Sequence, residues 1–586
     1  MLHSVLESRL QILLRNLFPD LGETPVQVRP TGDPKLGDYQ ANTIMSLAKE
    51  KRMNPRQLAA EVVTRLEATD LCESVEVAGP GFLNFRLKST AMAGVLQQAL
   101  RGEHLFVPRN QSPRRVVVDF SSPNVAKPMH VGHIRSTVLG DALSRTLRLL
   151  GHQVVTDNHI GDWGTQFGML LVGWKTLLDP VALERDAIAE LERLYKWINS
   201  ACDADPAMRE RARAELVKLQ SGDEENLAIW KEMIRLSQIQ FDTIYGRLGV
   251  KFDQTLGESF YNPWLAGLVT DLVARGVARD SDGAKAIFSD GSVLPKDDPF
   301  KIQRDGEWND APLLIQKSDG GFNYASTDLA TLDYRLATWA PSDILYVTDG
   351  RQQGHFRQVF AAFRISRPEA ASRVRLLHVW FGSILGEDGK PFKTRSGDTV
   401  KLAELLDEAE ERSLAVVRSK RPDLPAAEQT EIARIVGLGA IKYQDLLPNR
   451  QSDYVFSWDK MLALQGNTAP YLQYQYTRAA KLVRDGGFDP ASDPAIRIEA
   501  PEERALARQL LNFGIVLNAV AEDCRPNYLC NYLYELAGHS SRFYEACPVL
   551  RSEDSVRNSR LALCHLTAAV LRQGLDCLGI GVSERM

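Results

Sequence analysis

Two histidines three positions apart mark the part of the sequence best suited to chemistry. The sequence HVGH, residues 130–133, stands between an apolar run, residues 116–120, and a helix-forming segment. The first turn of a helix has unpaired N–H groups and a partial positive charge, so it attracts phosphate. His130 and His133 can donate to phosphate oxygens, and Gly132 has no side chain to keep an adenine ring away. This loop predicts a nucleotide-phosphate site, with two unrelated histidines on a turn as the alternative.

A second candidate lies far downstream in GKPFKTRSGDTVKL, residues 389–402. Its Lys393, Arg395 and Ser396 belong to a glycine-bounded loop of the kind that can close over a triphosphate. A solvated basic loop without a ligand is the alternative, and the residue types alone do not separate the two.

Several common nucleotide and metal motifs are absent from the sequence. There is no Gly-x-x-x-x-Gly-Lys-Ser/Thr loop and no Gly-x-Gly-x-x-Gly after a first strand, which disfavours P-loop ATPases and dinucleotide dehydrogenases. No His-Glu-x-x-His helix occurs, and none of the seven cysteines forms a Cys-x-x-Cys pair. We therefore expect no structural zinc.

The composition is that of a globular protein with several domains. The chain has 586 residues, of which 44% are hydrophobic and 25% charged, and its net charge is -5. This length predicts about four domains, and the charge gives no global sign of nucleic-acid binding. Widely spaced cysteines, the lack of a signal peptide and the lack of an apolar run of about 18 residues predict a cytoplasmic protein without a membrane segment. A mitochondrial presequence is disfavoured because Glu7 interrupts it.

The periodicity of apolar residues divides the chain into four regions. Residues 1–110 mix helices and strands, and residues 111–400 form a βαβ-containing unit with insertions at about 175–250 and 276–322. Within it, residues 116–120, 153–157, 343–349 and 375–381 are expected to be buried parallel strands. Residues 401–466 are expected to be a helical connection, and residues 467–586 a helical domain.

The segments SSPNVAKPMHVGHIRSTVLGD, residues 121–141, and NHIGDWGTQFG, residues 158–168, resemble the class I aminoacyl-tRNA synthetases, and among them the arginyl-tRNA synthetases. The HVGH loop resembles the HIGH element of that class, and KTRSG, residues 393–397, stands where the class carries KMSKS. Ser396 departs from that pattern, since the class has lysine there. The resemblance implies that Lys127 supplies the missing charge.

The resemblance extends to both ends of the chain. The sequences at residues 36–49 and 79–87 are similar to the family's additional tRNA-binding domain, and those at 531–550 and 578–586 to its helical anticodon-binding domain. The implied fold is of the α/β class: a Rossmann-like parallel-sheet catalytic domain with helical insertions, an α+β N-terminal domain and an all-helical C-terminal domain.

The resemblance also implies an arginine site. A guanidinium is a planar, always charged fork of five donors, so its site needs carboxylates and other acceptors. Asp119 ends an apolar strand, and Tyr324 and Asp328 are four apart, hence on one face of a helix. Asp162 and Gln166 are expected near the ribose of ATP. The full set implied for arginine is Asp119, Ser121, Asn124, His159, Tyr324, Asp328 and Gln352.

The implied reaction joins arginine to tRNA(Arg) in two steps, with ATP as substrate and Mg²⁺ accompanying it. Lys127, His130, His133 and Lys393 are the expected catalytic residues, and activation is expected to need bound tRNA. Tyr471, Tyr474 and Arg478 in the segment 467–484 are candidates for tRNA contact, because aromatic rings stack on bases and arginine binds phosphate. Their alternative is an amphipathic helix with packed tyrosines.

Three other functions stay open at this point. Another class I synthetase or a small nucleotidylyltransferase could use the same histidine loop, although the latter would not need about 180 helical residues after the basic loop. A non-catalytic tRNA-binding paralogue would be expected to carry damaged motifs, and only Ser396 departs. We expect a monomer.

Overall fold

A computed structural model describes residues 1–20, 26–107, 110–392 and 400–586. The N-terminal unit packs helices on a four-stranded antiparallel sheet with the order β1-β2-β4-β3. Its elements are α1 (Leu2–Leu17), β1 (Val28–Pro30), β2 (Tyr39–Ala41), α2 (Thr43–Glu50), α3 (Pro55–Arg65), β3 (Cys72–Ala78), β4 (Phe82–Leu87) and α4 (Ser89–Leu100). These helices and strands confirm the α+β character that the sequence predicts, and β3 and β4 are the strands indicated by alternating apolar residues.

A four-stranded parallel sheet forms the centre of the molecule. Its strands are β5 (Arg115–Phe120), β6 (Gln153–Asp157), β12 (Asp343–Val347) and β13 (Arg375–His378), in the order β13-β12-β5-β6. All four predicted strands are confirmed. Val116–Val118 and Ile344–Val347 are buried on both faces of the sheet, as expected for strands covered by helices. In this register Asp119 lies beside Asp157 on one side and Tyr346 on the other.

Helices and small sheets surround the central sheet. Between β5 and β13 they are α5 (Val131–Leu149), α6 (Gln166–Leu177), α7 (Pro180–Arg185), α8 (Ala187–Ala204), α9 (Pro206–Gln220), α10 (Glu224–Leu248), α11 (Asn262–Ala274), β7 (Ala278–Ser281), β8 (Ala284–Ile287), β9 (Lys301–Arg304), β10 (Glu307–Asp310), β11 (Leu313–Gln316), α12 (Tyr324–Trp339), α13 (Gln353–Ser366) and α14 (Pro368–Ala371). The insertion at about 175–250 is helical as predicted, and the one at 276–322 is a set of short antiparallel strands.

The C-terminal part is almost entirely helical. It contains β14 (Ile384–Leu385), α15 (Leu402–Lys420), α16 (Ala426–Leu446), β15 (Tyr454–Val455), α17 (Trp458–Met461), α18 (Ala469–Asp485), α19 (Pro501–Leu511), α20 (Phe513–Asp523), α21 (Asn527–Ala546) and α22 (Asp554–Cys577). The exception after residue 401 is the two-residue strand β15, which pairs in parallel with β14. In the described part of the chain, no helix is both long and apolar enough to cross a membrane.

Buried charges attach helix α5 to the C-terminal half. Arg135 is 1% exposed and forms an ion pair of 3.0 Å with the buried Asp445 of α16. Its guanidinium also donates to the carbonyl oxygens of Gly382 and Ser452. Because a buried ion pair is costly to break, these contacts fix α5. The HVGH loop at the start of this helix is fixed with it.

Candidate active site

The HVGH loop forms the first turn of α5. His130 is the N-terminal cap residue, and its Nδ1 accepts the N–H of Gly132 at 3.1 Å. The Nδ1 of His133 in turn accepts the N–H of His130 at 3.0 Å, and the two ring centres are 3.9 Å apart. Since both Nδ1 atoms accept, each neutral imidazole has its proton on Nε2. The loop therefore presents two Nε2–H donors.

Both imidazoles are neutral near pH 7. Burial, with the nearby His130, lowers the pKa of His133 to about 3. Burial also lowers the pKa of His130, with smaller effects from the positive charges of Arg351 and Lys127. Neutral donors can follow negative charge as it develops on a phosphate during displacement. Their predicted role at the ATP phosphates stays a prediction consistent with this geometry.

Gly132 is required by the ring of His130. A Cβ atom at this position would lie 2.8 Å from Cε1 and 3.0 Å from Nδ1 of His130. Any other residue would displace the imidazole from its cap position. The sequence also predicts that an adenine ring approaches Gly132 closely. This approach would be on the exposed side of the glycine, and it stays a prediction.

Lys127 lies on the same loop and points toward the helical insertion. Its ammonium group is 4.8 Å from the ring centre of Tyr195 on α8, a cation–π contact. The backbone before it is held by a hydrogen bond from the Ala126 N–H to Ser237 Oγ. Lys127 is also close enough to His130 for its charge to lower the pKa of that histidine. The role of Lys127 at the phosphates stays a prediction.

The basic loop predicted to carry Lys393, Arg395 and Ser396 lies outside the described residues. The chain that follows it is attached directly to the HVGH loop. The N–H of Val131 donates to the carbonyl of Val400, and the N–H of Leu402 donates to the carbonyl of Met129, both at 2.9 Å. The end of the basic loop is thus anchored beside the two histidines.

Three carboxylates converge beyond the ends of β5 and β6; we call Asp162, Glu258 and Asp328 the acidic cluster. Burial, together with the charges of Asp162 and Asp328, raises the pKa of Glu258 to about 8. Burial also raises the pKa of Asp162. Among the described residues, the ion pair formed by a member of the cluster is that of Asp328 with His355 Nε2, at 2.5 Å. A site of this kind calls for a cation from outside the protein.

A short backbone segment brings Glu258 to this place. The N–H of Glu258 donates to the carbonyl of Ile160, and Ser259 donates through its N–H and hydroxyl to the two oxygens of Asp162 at 2.8 and 2.6 Å. A Cβ atom at Gly257 would overlap the Asp162 carboxylate, so only glycine allows this approach. Ser259 thus fixes the orientation of the Asp162 carboxylate. The expected position of Asp162 and Gln166 near the ribose of ATP stays a prediction.

The N-terminal turns of two helices, α12 and α13, border the acidic cluster. Tyr324 and Asp328 lie on the first two turns of α12, with Tyr324 66% exposed. Burial and the charge of Glu258 raise the pKa of Tyr324. The effect of Glu258 indicates that the Tyr324 phenol lies near the acidic cluster. Asp328 is paired with His355 Nε2 on α13 at 2.5 Å. Gln352 is exposed and ends the short 3₁₀ helix Gly350–Gln352 that leads into α13.

The comparisons with known proteins cover the whole chain. Residues 95–458 match the profile described as tRNA synthetases class I (R), catalytic domain. Residues 2–87 match the arginyl tRNA synthetase N terminal domain, and residues 472–586 match the DALR anticodon binding domain. The chain is 45% identical to an arginine–tRNA ligase of Hahella chejuensis, over 100% of both chains. It is 46% identical to that of a Synechococcus strain, over 99% of both chains.

The chain belongs to the arginyl-tRNA synthetase family. Solved structures agree: the arginyl-tRNA synthetase of Thermus thermophilus matches with a TM-score of 0.83 at 26% identity, over 100% of both chains. That of Plasmodium falciparum matches with a TM-score of 0.82 at 27% identity, over 100% of this chain and 99% of the other. The enzyme therefore joins arginine to tRNA with ATP as a substrate, and the nucleotidylyltransferase and the other class I synthetases are set aside.

Asp119 lies near the end of β5, as predicted, and pairs with an arginine inside the protein. Its carboxylate is 4% exposed and accepts from the guanidinium of Arg335 at 2.6 Å. Arg335 is fully buried on α12 and donates at 2.7 Å to Asp157 as well. The charge of Asp119 is thus already balanced inside the protein. The predicted contact of Asp119 with the guanidinium of arginine stays a prediction.

Ser121, Asn124 and His159 occupy three different settings. Ser121 is buried, and its hydroxyl bonds to the hydroxyls of Thr137 and Tyr245 at 2.8 Å, so its contacts lie within the protein. Asn124 is exposed and forms a parallel bridge with Gly161. The Nδ1 atom of His159 is buried and has no hydrogen-bond partner among the described residues. The predicted arginine contacts of all three residues stay predictions.

The predicted tRNA residues lie on α18 of the C-terminal domain. Tyr471 packs against Tyr534, with ring centres 5.8 Å apart, and the guanidinium of Arg478 lies 4.8 Å from the ring centre of Tyr544. Tyr474 is 46% exposed and borders an apolar groove that the C-terminal Met586 also lines. By contrast, Tyr476 is buried, and its hydroxyl donates to Glu584.

Glu258 is the site residue that sequence reasoning missed. It lies 96 positions after Asp162, in a segment without helical or strand periodicity. The only local signal is the Gly257-Glu258-Ser259 triplet between Leu256 and Phe260. Among the described residues, no group of three or more histidine, cysteine, aspartate or glutamate side chains could hold a metal ion, and the acidic cluster does not qualify.

Proposed function

We propose that the acidic cluster binds the guanidinium of arginine and that the HVGH loop binds the phosphates of ATP. The observation that supports this proposal is the burial of Glu258 beside the charges of Asp162 and Asp328, which together raise its pKa to about 8. A planar cation that donates to several carboxylates at once would stabilise their ionised forms. Arginine is the amino acid with such a group, and the family accounts for its use.

The proposed chemistry needs positioning and charge stabilisation, without a protein nucleophile. The arginine carboxylate attacks the α-phosphorus of ATP, the bond to the β-phosphate oxygen breaks, and pyrophosphate leaves. The terminal ribose hydroxyl of tRNA then attacks the carbonyl carbon of arginyl-adenylate, and AMP leaves. The Nε2–H groups of His130 and His133, with Lys127, would stabilise charge on the phosphates.

Mg²⁺ would enter this site with ATP. The described residues offer no cluster that could hold a resident metal ion. When present, the ion would neutralise phosphate charge. The described side chains contribute donors rather than metal ligands, so the proposed roles of His130, His133 and Lys127 do not depend on the ion.

We propose that tRNA contacts the exposed ring face of α18 and α21. Tyr471, Tyr474 and Arg478 lie on α18, and Tyr534 and Tyr544 face them from α21. Unpaired bases can stack on the aromatic rings of this surface, and phosphates can bind to its guanidinium. The exposed Tyr474 beside the apolar groove is the strongest single candidate for stacking on a base.

We further propose that the enzyme acts as a monomer in the cytoplasm. One chain matches the catalytic domain and both terminal domains of the family. All seven cysteines are buried free thiols, which suits a reducing compartment. Sedimentation of the purified enzyme at several concentrations tests the monomer, and a dimer at micromolar concentration would contradict it.

ATP–pyrophosphate exchange with each of the twenty amino acids, in the presence of total tRNA, tests the site assignment. We expect exchange with arginine only. Glu258→Gln should raise the KM for arginine and leave the KM for ATP unchanged, because it removes charge from the cluster alone. Glu307→Gln, in the exposed strand β10, is the matched control and should match the wild type. An unchanged KM for arginine in Glu258→Gln would contradict the assignment.

A further inference from the structure

A single side-chain contact joins the two helix starts that border the acidic cluster. His355, on the first turn of α13, and Asp328, on the first turns of α12, pair through Nε2 and Oδ2 at 2.5 Å. Their side chains are 29% and 17% exposed. Among the described residues, this is the one hydrogen bond that the Asp328 side chain forms. The orientation of Asp328 therefore depends on His355.

We propose that His355 is a positioning residue for arginine recognition, which holds one oxygen of Asp328 and so directs the other oxygen toward the guanidinium. The inference rests on the proposed function, because it requires Asp328 to lie in the arginine site. His355 itself need not touch arginine.

The electrostatics of the cluster explain why Asp328 needs a fixed partner. The negative charges of Asp328 and Asp162 both reach Glu258, so like charges oppose one another within the cluster. A carboxylate that could rotate freely would turn toward water and away from its neighbours. A donor on one oxygen removes this freedom before arginine arrives, and such preorganisation lowers the cost of binding.

The surroundings of His355 keep the donor in place. The imidazole packs edge-on against Phe356, with ring centres 5.5 Å apart. Hydrogen bonding to Asp328 and the charge of Asp328 outweigh burial and raise the pKa of His355 above its ordinary value. The Nε2 atom thus carries a proton in either ionisation state, neutral or positive. Because Gln352 precedes α13 directly, the same contact also sets the distance between Gln352 and the α12 residues.

Two amide substitutions separate positioning from a general structural role. Glutamine can place its N–H₂ group close to the position of Nε2, whereas the shorter asparagine corresponds to Nδ1 and does not reach Asp328. His355→Asn should raise the KM for arginine roughly tenfold. The KM for ATP should not change, and His355→Gln should stay within about threefold of the wild type. His565→Asn, which changes a half-buried histidine on α22, is the control for the loss of an imidazole.

The double variant with Asp328→Asn completes the test. If His355 acts through Asp328, His355→Asn should add little to the defect of Asp328→Asn. A normal arginine KM in His355→Asn, with a raised KM in Asp328→Asn, would overturn the role of His355 and leave the proposed function standing. Equal defects in the glutamine and asparagine variants would also overturn it. Normal values in both His355→Asn and Asp328→Asn would overturn the arginine site itself.

Discussion

Replacement of Glu258 by glutamine tests the acidic cluster through protons as well as affinity. The wild-type pKa of about 8 means that about nine-tenths of Glu258 is protonated at pH 7. A guanidinium needs the ionised carboxylate, so binding of arginine must expel this proton. We expect release of about 0.9 proton from Glu258 per arginine at pH 7, and a Kd for arginine that falls roughly tenfold per pH unit up to about pH 8.

Isothermal titration calorimetry in buffers of different ionisation enthalpy measures both quantities. In Glu258→Gln the proton release should fall by about 0.9 per arginine at pH 7. The lost charge-assisted hydrogen bond should weaken binding by roughly 10- to 150-fold at pH 8.5, where the wild-type carboxylate is ionised. The difference between the two proteins should shrink toward lower pH. An arginine Kd that is constant from pH 6.5 to 8.5 in the wild type would refute the reasoning.

The same carboxyl group should affect the stability of the free enzyme. Its pKa is raised from the ordinary 4.5 to about 8 in the folded protein. The group therefore contributes stability that is fully present below about pH 4.5 and is lost as the pH rises through about 8. In Glu258→Gln this part of the fall in Tm with rising pH should disappear. Differential scanning calorimetry of both proteins between pH 6 and 9 measures it, and identical profiles would contradict the burial of Glu258 beside like charges.

The parts of the site that follow one another in the chain could be predicted from sequence. The strand β5, the HVGH loop and the helix α5 are contiguous, and hydrophobic periodicity together with capping preferences is enough to place them. Tyr324 and Asp328 are four apart and so share a face if that segment is helical, and α12 does begin at Tyr324. Periodicity and capping depend on residues only a few positions apart in the chain, and each of these features is that local.

The partners of the charged residues could not be predicted, because they come from distant segments. Arg335, which pairs with Asp119, lies 216 positions later in the chain. A carboxylate at the end of an apolar strand suits a ligand and an internal arginine equally well, and only the folded chain decides between them. Glu258 reaches the cluster through backbone contacts with Ile160 and a glycine that admits Asp162. None of these has a signature in a single sequence.

Four further predictions concern single residues and tRNA. Lys127→Ala should reduce the rate of arginine activation by about 10²–10³-fold in single-turnover assays, with arginine binding nearly intact, and a wild-type rate would leave Lys127 without a role. Adding Ser396→Lys to that variant should recover part of the loss, because it restores a cation at the class position. Asp328→Asn should lower kcat/KM for arginine roughly 10- to 150-fold while KM for ATP changes little, and unaltered arginine kinetics would exclude Asp328 from the pocket. Arginine-dependent exchange should require tRNA, and robust exchange in RNA-free enzyme would refute this.

A crystal structure of the enzyme with arginine and a non-hydrolysable ATP analogue tests the central claim most directly. The account predicts the arginine guanidinium within about 3.5 Å of Glu258 and Asp328 carboxylate oxygens, and phosphate oxygens within the same reach of Nε2 of His130 and His133. Asp328 should keep its contact with His355 through the other oxygen. A guanidinium bound away from the acidic cluster, or phosphates that do not contact the HVGH loop, would contradict the account.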